Sequence, residues 1–176
     1  MIAYLDALNV IRRAASAPET MTIATHQALN RVLAEDFVAP FALPRFDNSS
    51  MDGFALRAED TVTASTETPL TLPVLRAQAA GDAAGSNQAG HTVEIMTGAA
   101  MPLNADAVIP IENVTTVCDV QGHVTQILLT APVPLHDNVR FAGEDFTTGQ
   151  TLITAGTRLT PAHLGILYAT GTTRIK

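Results

Sequence analysis

Residues 44–57 read PRFDNSSMDGFALR. Pro44, Arg45, Asp47, Asn48, two serines, Asp52, Gly53 and Arg57 crowd into this stretch, and the apolar residues between them follow neither the helical period nor strand alternation. A carboxylate directly before glycine, at Asp52-Gly53, suits a turn in which the aspartate caps nearby backbone. The local pattern favours that turn. The functional alternative has Asp52 held out of the core near Ser49 and Ser50, where it holds a cation or orients a water. The two readings are compatible, because a turn can be what presents the carboxylate.

Outward from this stretch, the pattern becomes regular. Residues 3–15 predict a helix with Leu5, Leu8 and Ile11 on one side. THQALNRVLAEDF (25–37) predicts a short second helix with Thr25 as N-cap, carrying Leu29, Val32 and Leu33. VAPFALP (38–44) has two prolines and is extended or irregular. The middle is β-like. PLTLPVLRAQ (69–78) alternates, with Pro73 marking an edge or a bulge. HTVEIM (91–96), ADAVIPIENVTTVCDV (105–120) and HVTQILLTAPV (123–133) are further strand candidates, the last two joined as a hairpin at Gln121-Gly122. AQAAGDAAGSNQAG (77–90) is a small-residue loop without phosphate-loop spacing. GTRLTPAHLGILYATG (156–171) predicts a helix with Thr160 as N-cap, Pro161 in its first turn and Gly171 as its stop. TTRIK (172–176) reads as the start of a new strand, so further chain is expected beyond it.

Composition narrows the function classes. The chain of 176 residues is 47% apolar, enough for a core built from aliphatic residues, since it has no tryptophan. Ten basic residues against seventeen acidic ones give a net charge of −7, which argues against nucleic-acid binding. An acidic protein that binds an anion needs a metal, local arginines or backbone N–H groups. Cys118 is the single cysteine, which fits a reducing cytoplasm and leaves no internal disulfide. The N-terminal run has its charges in the wrong order for a signal peptide, and no stretch approaches a membrane span. The five histidines are far apart and lack metal-ligand spacing.

Three further polar clusters stand out. In IMTGAAMP, Thr97-Gly98 follows an apolar run, and a hydroxyl with a free N–H at a strand end can hold an oxyanion; the plain reading is a strand-ending turn. In ADAVIPIEN, Asp106 and Glu112 flank an apolar run, and Glu112 alone reads as a solvated strand end. In NVRFAGEDF, Arg140, Glu144 and Asp145 surround Gly143, and the plain reading is a surface ion pair.

Taken together and in order, LAEDFVAPFALPRFDNSSMDGFA (33–55), IMTGAAMPLNADAVIPIEN (95–113), NVRFAGEDF (138–146) and GQTLITAGTRLTPAHLGILYATG (149–171) resemble the MoeA family of molybdopterin molybdenumtransferases, related to the C-terminal part of gephyrin. The resemblance runs from about residue 2 to residue 176. It implies a mainly β fold with flanking helices (α+β), built on coiled, bifurcated sheets. It further implies an elongated domain of residues 1–41 and 143–176, with a β-rich second domain, 42–142, inserted into it. The implied reaction takes molybdate and adenylylated molybdopterin, breaks the phosphoanhydride, releases AMP and leaves molybdenum on the dithiolene, assisted by a divalent cation, usually magnesium. Asp52, Thr97 and Asp145 match the family's Met-Asp-Gly, Thr-Gly and Gly-Glu-Asp motifs and become the expected catalytic residues, with Asp52 and Asp145 toward the metal. Ser50, Arg140 and Glu112 are the expected substrate-binding or supporting residues. A homodimer is implied, with the N-terminal helix as a contact, and the molybdopterin adenylyltransferase is a possible partner.

The sequence departs from the family pattern in places. Phe54 stands where tyrosine is common, and Asn30 where glycine is usual. The family's later domains, which carry the pterin pocket, have no counterpart here, so the chain is expected to hold one wall of the site. The alternative is a non-catalytic dimerisation or binding module that kept the scaffold. It predicts tolerance of change at Asp52, Thr97 and Asp145.

Overall fold

The computed structural model describes residues 2–16 and 18–176. Along the chain run α1 (Tyr4–Ala14), β1 (Ile23–Ala24), β2 (Phe37–Val38), β3 (Asn48–Ser49), β4 (Gly53–Leu56), β5 (Leu70–Gln78) and β6 (Thr92–Ile95). There follow β7 (Ala107–Pro110), β8 (Thr115–Cys118), β9 (Val124–Leu129), β10 (Val139–Arg140), β11 (Thr151–Ile153), α2 (Pro161–Ala169) and β12 (Arg174–Ile175). This is the expected mainly β chain with a helix near each end. Its contacts divide it into two compact units, residues 1–40 with 149–176, and residues 41–148.

The first unit closes around Leu33, Ile153, Leu159, Leu167 and Ile175. Short antiparallel pairs, β1 with β12 and β2 with β11, tie its early and late segments together. The helix α2 starts as expected. The Thr160 hydroxyl accepts from the His163 N–H, His163 Nδ1 accepts from the Thr160 N–H, and Pro161 occupies the first turn. It stops at Gly171, whose φ of +70° is the left-handed conformation that glycine adopts without cost.

The second helix expected over 25–33 does not form. Only a 3-10 turn, Thr25–Gln27, is present, and Thr25 donates its hydroxyl to the Thr172 carbonyl instead of capping a helix. The reason is Asn30. Its φ of +65° ends any right-handed run, and beyond it the Leu33 N–H donates to the Thr157 carbonyl, strand fashion. A glycine-like conformation here also explains why Asn, one of the residues that tolerate it best, stands at this position.

The second unit is a six-stranded sheet in the order β7-β4-β6-β5-β9-β8. Its strand β4 is buried along its whole length. Phe54 and Leu56 enter a cluster with Leu72, Ile127 and Leu129, while Ala55 enters a second one with Ile95, Ala99 and Val108. A strand covered on both faces cannot show clean alternation, which is why GFAL carries no period in the sequence. β5 lies inside the six-stranded order, but Pro73 itself is paired on one side only. β5 pairs with β9 through residues 70–73, then with β6 from Val74 onward, with a register irregularity between Val74 and Ala77. Pro73 thus stands where one side of β5 is unpaired, with the irregularity just after it, in line with the expectation. β8 and β9 form the expected hairpin, turned at Gly122 (φ +87°) with Asp119 accepting from the Gln121 and His123 N–H groups.

Candidate functional site

The chain bends at residues 50–52 and enters β4 at Gly53. The Asp-Gly pair is therefore a bend into a strand, and Gly53 is needed for a reason other than a turn conformation. A Cβ built there would lie 2.1 Å from the Ile109 carbonyl oxygen and 2.9 Å from Pro110 Cα, both backbone atoms of β7. Only glycine lets β4 and β7 approach this closely.

The carboxylate that precedes it does not cap its own neighbourhood. Asp52 Oδ1 accepts from the Thr97 N–H at 2.7 Å and from the Thr97 hydroxyl at 2.8 Å, across 45 residues of sequence. Its own carbonyl accepts from the Ile111 N–H at 3.1 Å, which sets Glu112, in the 3-10 turn Ile111–Asn113, close along the chain. The Thr97 N–H first, and its hydroxyl second, hold the exposed Asp52 carboxyl below the usual carboxylate range. Both bonds fall on Oδ1. Among the described residues Oδ2 has no hydrogen-bond partner.

Thr97 and Gly98 thus differ from the oxyanion cradle expected of a free N–H at a strand end. The Thr97 N–H is used by Asp52, and the Gly98 N–H donates to the Ser49 carbonyl at 2.8 Å. These groups hold a carboxylate in place and leave no open N–H pair for an anion.

The short strand β3 organises both flanks of the site. On one side the Ser49 N–H donates to the Ala99 carbonyl, and Asn48 bridges Ala100. On the other, β3 pairs with β10, Arg140 lying opposite Asn48 and Val139 opposite Ser49. Ser50 donates both its N–H and its hydroxyl, each at 3.0 Å, to the Asn138 carbonyl. Asn138, a residue the sequence reading missed, has a φ of +54° and donates its side-chain amide to the Val108 carbonyl at 2.9 Å. Its only advance signal was that Asn tolerates the left-handed region.

Arg140 ion-pairs with Asp145 at 2.6 Å and lies 4.0 Å from Glu144. That is the surface pairing the plain reading expects, and exposed pairs of this kind contribute about 0–1 kcal/mol. Thus Asp52 is brought to Thr97, Ser50 to Asn138 and Arg140 to Asp145. Among the described residues, no hydrogen bond or ion pair joins the Asp52–Thr97 pair to the Arg140–Asp145 pair. Asp106, noted with Glu112 in the sequence, holds the backbone instead, accepting from the Ala58 N–H at 2.7 Å.

Among the described residues no three His, Cys, Asp or Glu side chains gather as a metal site. The donor set at Asp52 is one carboxylate, which does not select a metal but leaves room for a cation that keeps most of its waters. Magnesium keeps several waters and takes one or two carboxylates together with substrate phosphates. A single carboxylate with Oδ1 fixed and Oδ2 open fits that requirement, whereas a cation needing an all-protein cage finds none there. No helix among the described residues is long and apolar enough to cross a membrane.

The arrangement has relatives. The family description "MoeA N-terminal region (domain I and II)" matches residues 2–171. The molybdopterin molybdenumtransferase of Synechococcus elongatus is 38% identical over 144 residues, covering 81% of this chain and 34% of its own. That of Bacillus subtilis is 40% identical over 155 residues, covering 87% and 35%. The crystal structure of the molybdopterin biosynthesis moeA protein from Pyrococcus horikoshii OT3 aligns with a TM-score of 0.91 at 33% identity, over 99% of this chain and 45% of that one. The chain therefore spans well under half the length of these relatives. On the family match over residues 2–171 and these relatives, the chain belongs to the MoeA family, and what it represents is that family's N-terminal region.

Proposed function

We propose that this chain supplies one wall of a molybdenum-insertion site, in which molybdate and adenylylated molybdopterin react with release of AMP. The observation that carries the reading is the grip of Thr97 on Asp52. It fixes one carboxylate oxygen, favours the ionised form and leaves the other oxygen without a hydrogen-bond partner among the described residues. Asp52 sits on exposed surface, as a wall completed by a further surface would. Asp52 would hold a magnesium ion, which would supply the positive charge that an anionic substrate on an acidic protein requires. Asp145 is the second candidate for that role, on the far flank of β3. Arg140, now paired to Asp145, is the local cation an incoming phosphate would compete for. Ser50 and Glu112 support the wall from either side. The single cysteine suits a reducing compartment, and we place the reaction in the cytoplasm. The enzyme that makes the adenylylated substrate is a natural partner.

The test is Asp52→Asn in the whole protein that carries this chain. Asparagine keeps the acceptor oxygen for Thr97 and removes only the charge. Molybdenum insertion should fall about 10²-fold, or ~2.7 kcal/mol of barrier, with the melting temperature unchanged. Full activity in this variant would overturn the role given to Asp52 and favour the binding-module alternative.

A homodimer is part of the same proposal. No residue of α1 is buried, and Leu5 and Ile11 are 68% and 65% exposed. An 11-residue helix is marginal in water unless its apolar stripe is covered. A second copy would supply the cover. Leu5→Glu with Ile11→Glu should shift the sedimentation coefficient from dimer to monomer, and a dimer that survives both changes rules α1 out as the contact.

A further inference from the structure

We propose that Ser49 is a positioning residue that sets Asp52 against Thr97. This inference rests on the reading of Asp52 as a site residue, and it concerns what aligns that carboxylate. Ser49 touches neither partner. It is 1% exposed and reaches one residue short of each. Its hydroxyl donates to the Met51 carbonyl at 2.6 Å and accepts from the Met51 N–H at 3.2 Å, so a single side chain holds both backbone groups of the residue before Asp52. Its carbonyl accepts from the Gly98 N–H, the residue after Thr97, and its N–H donates to the Ala99 carbonyl. The Ser49–Met51 and Ser49–Gly98 bonds, with the two Asp52–Thr97 bonds, close a ring that fixes the carboxylate in one orientation.

A purely structural account of this hydroxyl predicts something different. Both Ser49–Met51 bonds are only part-buried and Met51 as a residue is 38% exposed, so a water that replaces the hydroxyl would keep the loss of global stability small. What cannot be replaced by water is the direction in which the backbone enters residue 52. Loss of the hydroxyl therefore loosens the site more than the fold. The Thr97 N–H reports this directly, because its bond to Asp52 Oδ1 depends on the alignment and lies outside the strand ladders.

The experiment is Ser49→Ala, read in two ways. Hydrogen exchange of the Thr97 amide should accelerate about tenfold, toward the rate in Asp52→Ala, while Val93 in the β4–β6 pairing keeps its own. In the whole protein, kcat for molybdenum insertion should fall about tenfold with KM changed less than about twofold, the pattern of a group that aligns and does not bind. Unchanged exchange at Thr97 overturns the inference whatever the activity. Faster exchange with unchanged kcat overturns it if Asp52→Asn is inactive, since alignment is then unnecessary. If Asp52→Asn is itself active, the faster exchange upholds Ser49 as the positioning group and the functional reading of Asp52 fails instead. Should Val93 also lose protection in Ser49→Ala, Ser49→Thr decides. It retains the hydroxyl, and it must restore both Thr97 protection and kcat for the inference to stand.

Discussion

Gly53→Val is expected to unfold the second unit. The first atom of any side chain at residue 53 meets the Ile109 carbonyl oxygen at 2.1 Å, and the obstacle is backbone, not a flexible side-chain end. Ile109 belongs to β7, whose ladder with β4 places Gly53 opposite Pro110 and Phe54 opposite Ile109. Relief requires the two strands to part at the point where β4 starts. Overpacking a core typically costs about 1–3 kcal/mol and more when the neighbours cannot move. A branched side chain against a hydrogen-bonded strand belongs at or above the top of that range, and domains are held by only about 5–15 kcal/mol. Urea unfolding followed by circular dichroism should show a loss of more than about 3 kcal/mol, or no folded baseline at all. A variant within about 1 kcal/mol of the parent would mean that β4 and β7 separate easily. The same substitution should abolish the Asp52–Thr97 contact, because residue 53 is the hinge point on which the carboxylate is set.

Phe54→Ala should cost about 3–5 kcal/mol, the usual range for deleting a buried phenylalanine ring. Phe54 is fully buried, the bulkiest side chain in the protein to be so, in a cluster whose other members are aliphatic. In a protein without tryptophan, no second large ring is packed there to close the gap. The loss should appear in denaturant midpoint with little change in slope. A loss below about 1 kcal/mol would show that the cluster collapses around the cavity.

Much of this fold was legible in the sequence. The helix α2 declared itself through Thr160, Pro161 and Gly171, since caps act locally and their chemistry is specific. The β8–β9 hairpin was legible from two β-rich runs about a polar tip. What misled was long-range pairing. The run after Thr25 has helical spacing, but residues 30–34 bond to partners more than a hundred positions away, and Asn30 turns the chain toward them. At the site, the motif order singled out Asp52 and Thr97 as candidates, yet no local rule says that one grips the other. The free N–H assigned to Thr97-Gly98 is taken by Asp52 and Ser49, two residues far away in sequence. Gly53 looked like a turn residue because a glycine required by a neighbouring strand and one required by its own torsion angles are spelled alike. Phe54, which the resemblance marks as a departure, falls in the core.

The divided pairing of β5 has a mechanical consequence. Residues 70–73 bond to β9 and residues from 74 onward to β6, so no residue of β5 is paired on both sides. The sheet is thus a four-stranded ribbon, β7-β4-β6-β5, and a three-stranded one, β5-β9-β8, that share β5 and are spliced at Pro73-Val74. Twist developed in the β8–β9 ribbon reaches the ribbon that carries Asp52 through one run of peptide torsions and through side-chain packing, never through a continuous ladder. Such a splice tolerates a difference in pitch between its two halves. The outer hairpin can therefore lengthen, shorten or coil more tightly while the strands that seat the carboxylate keep their register.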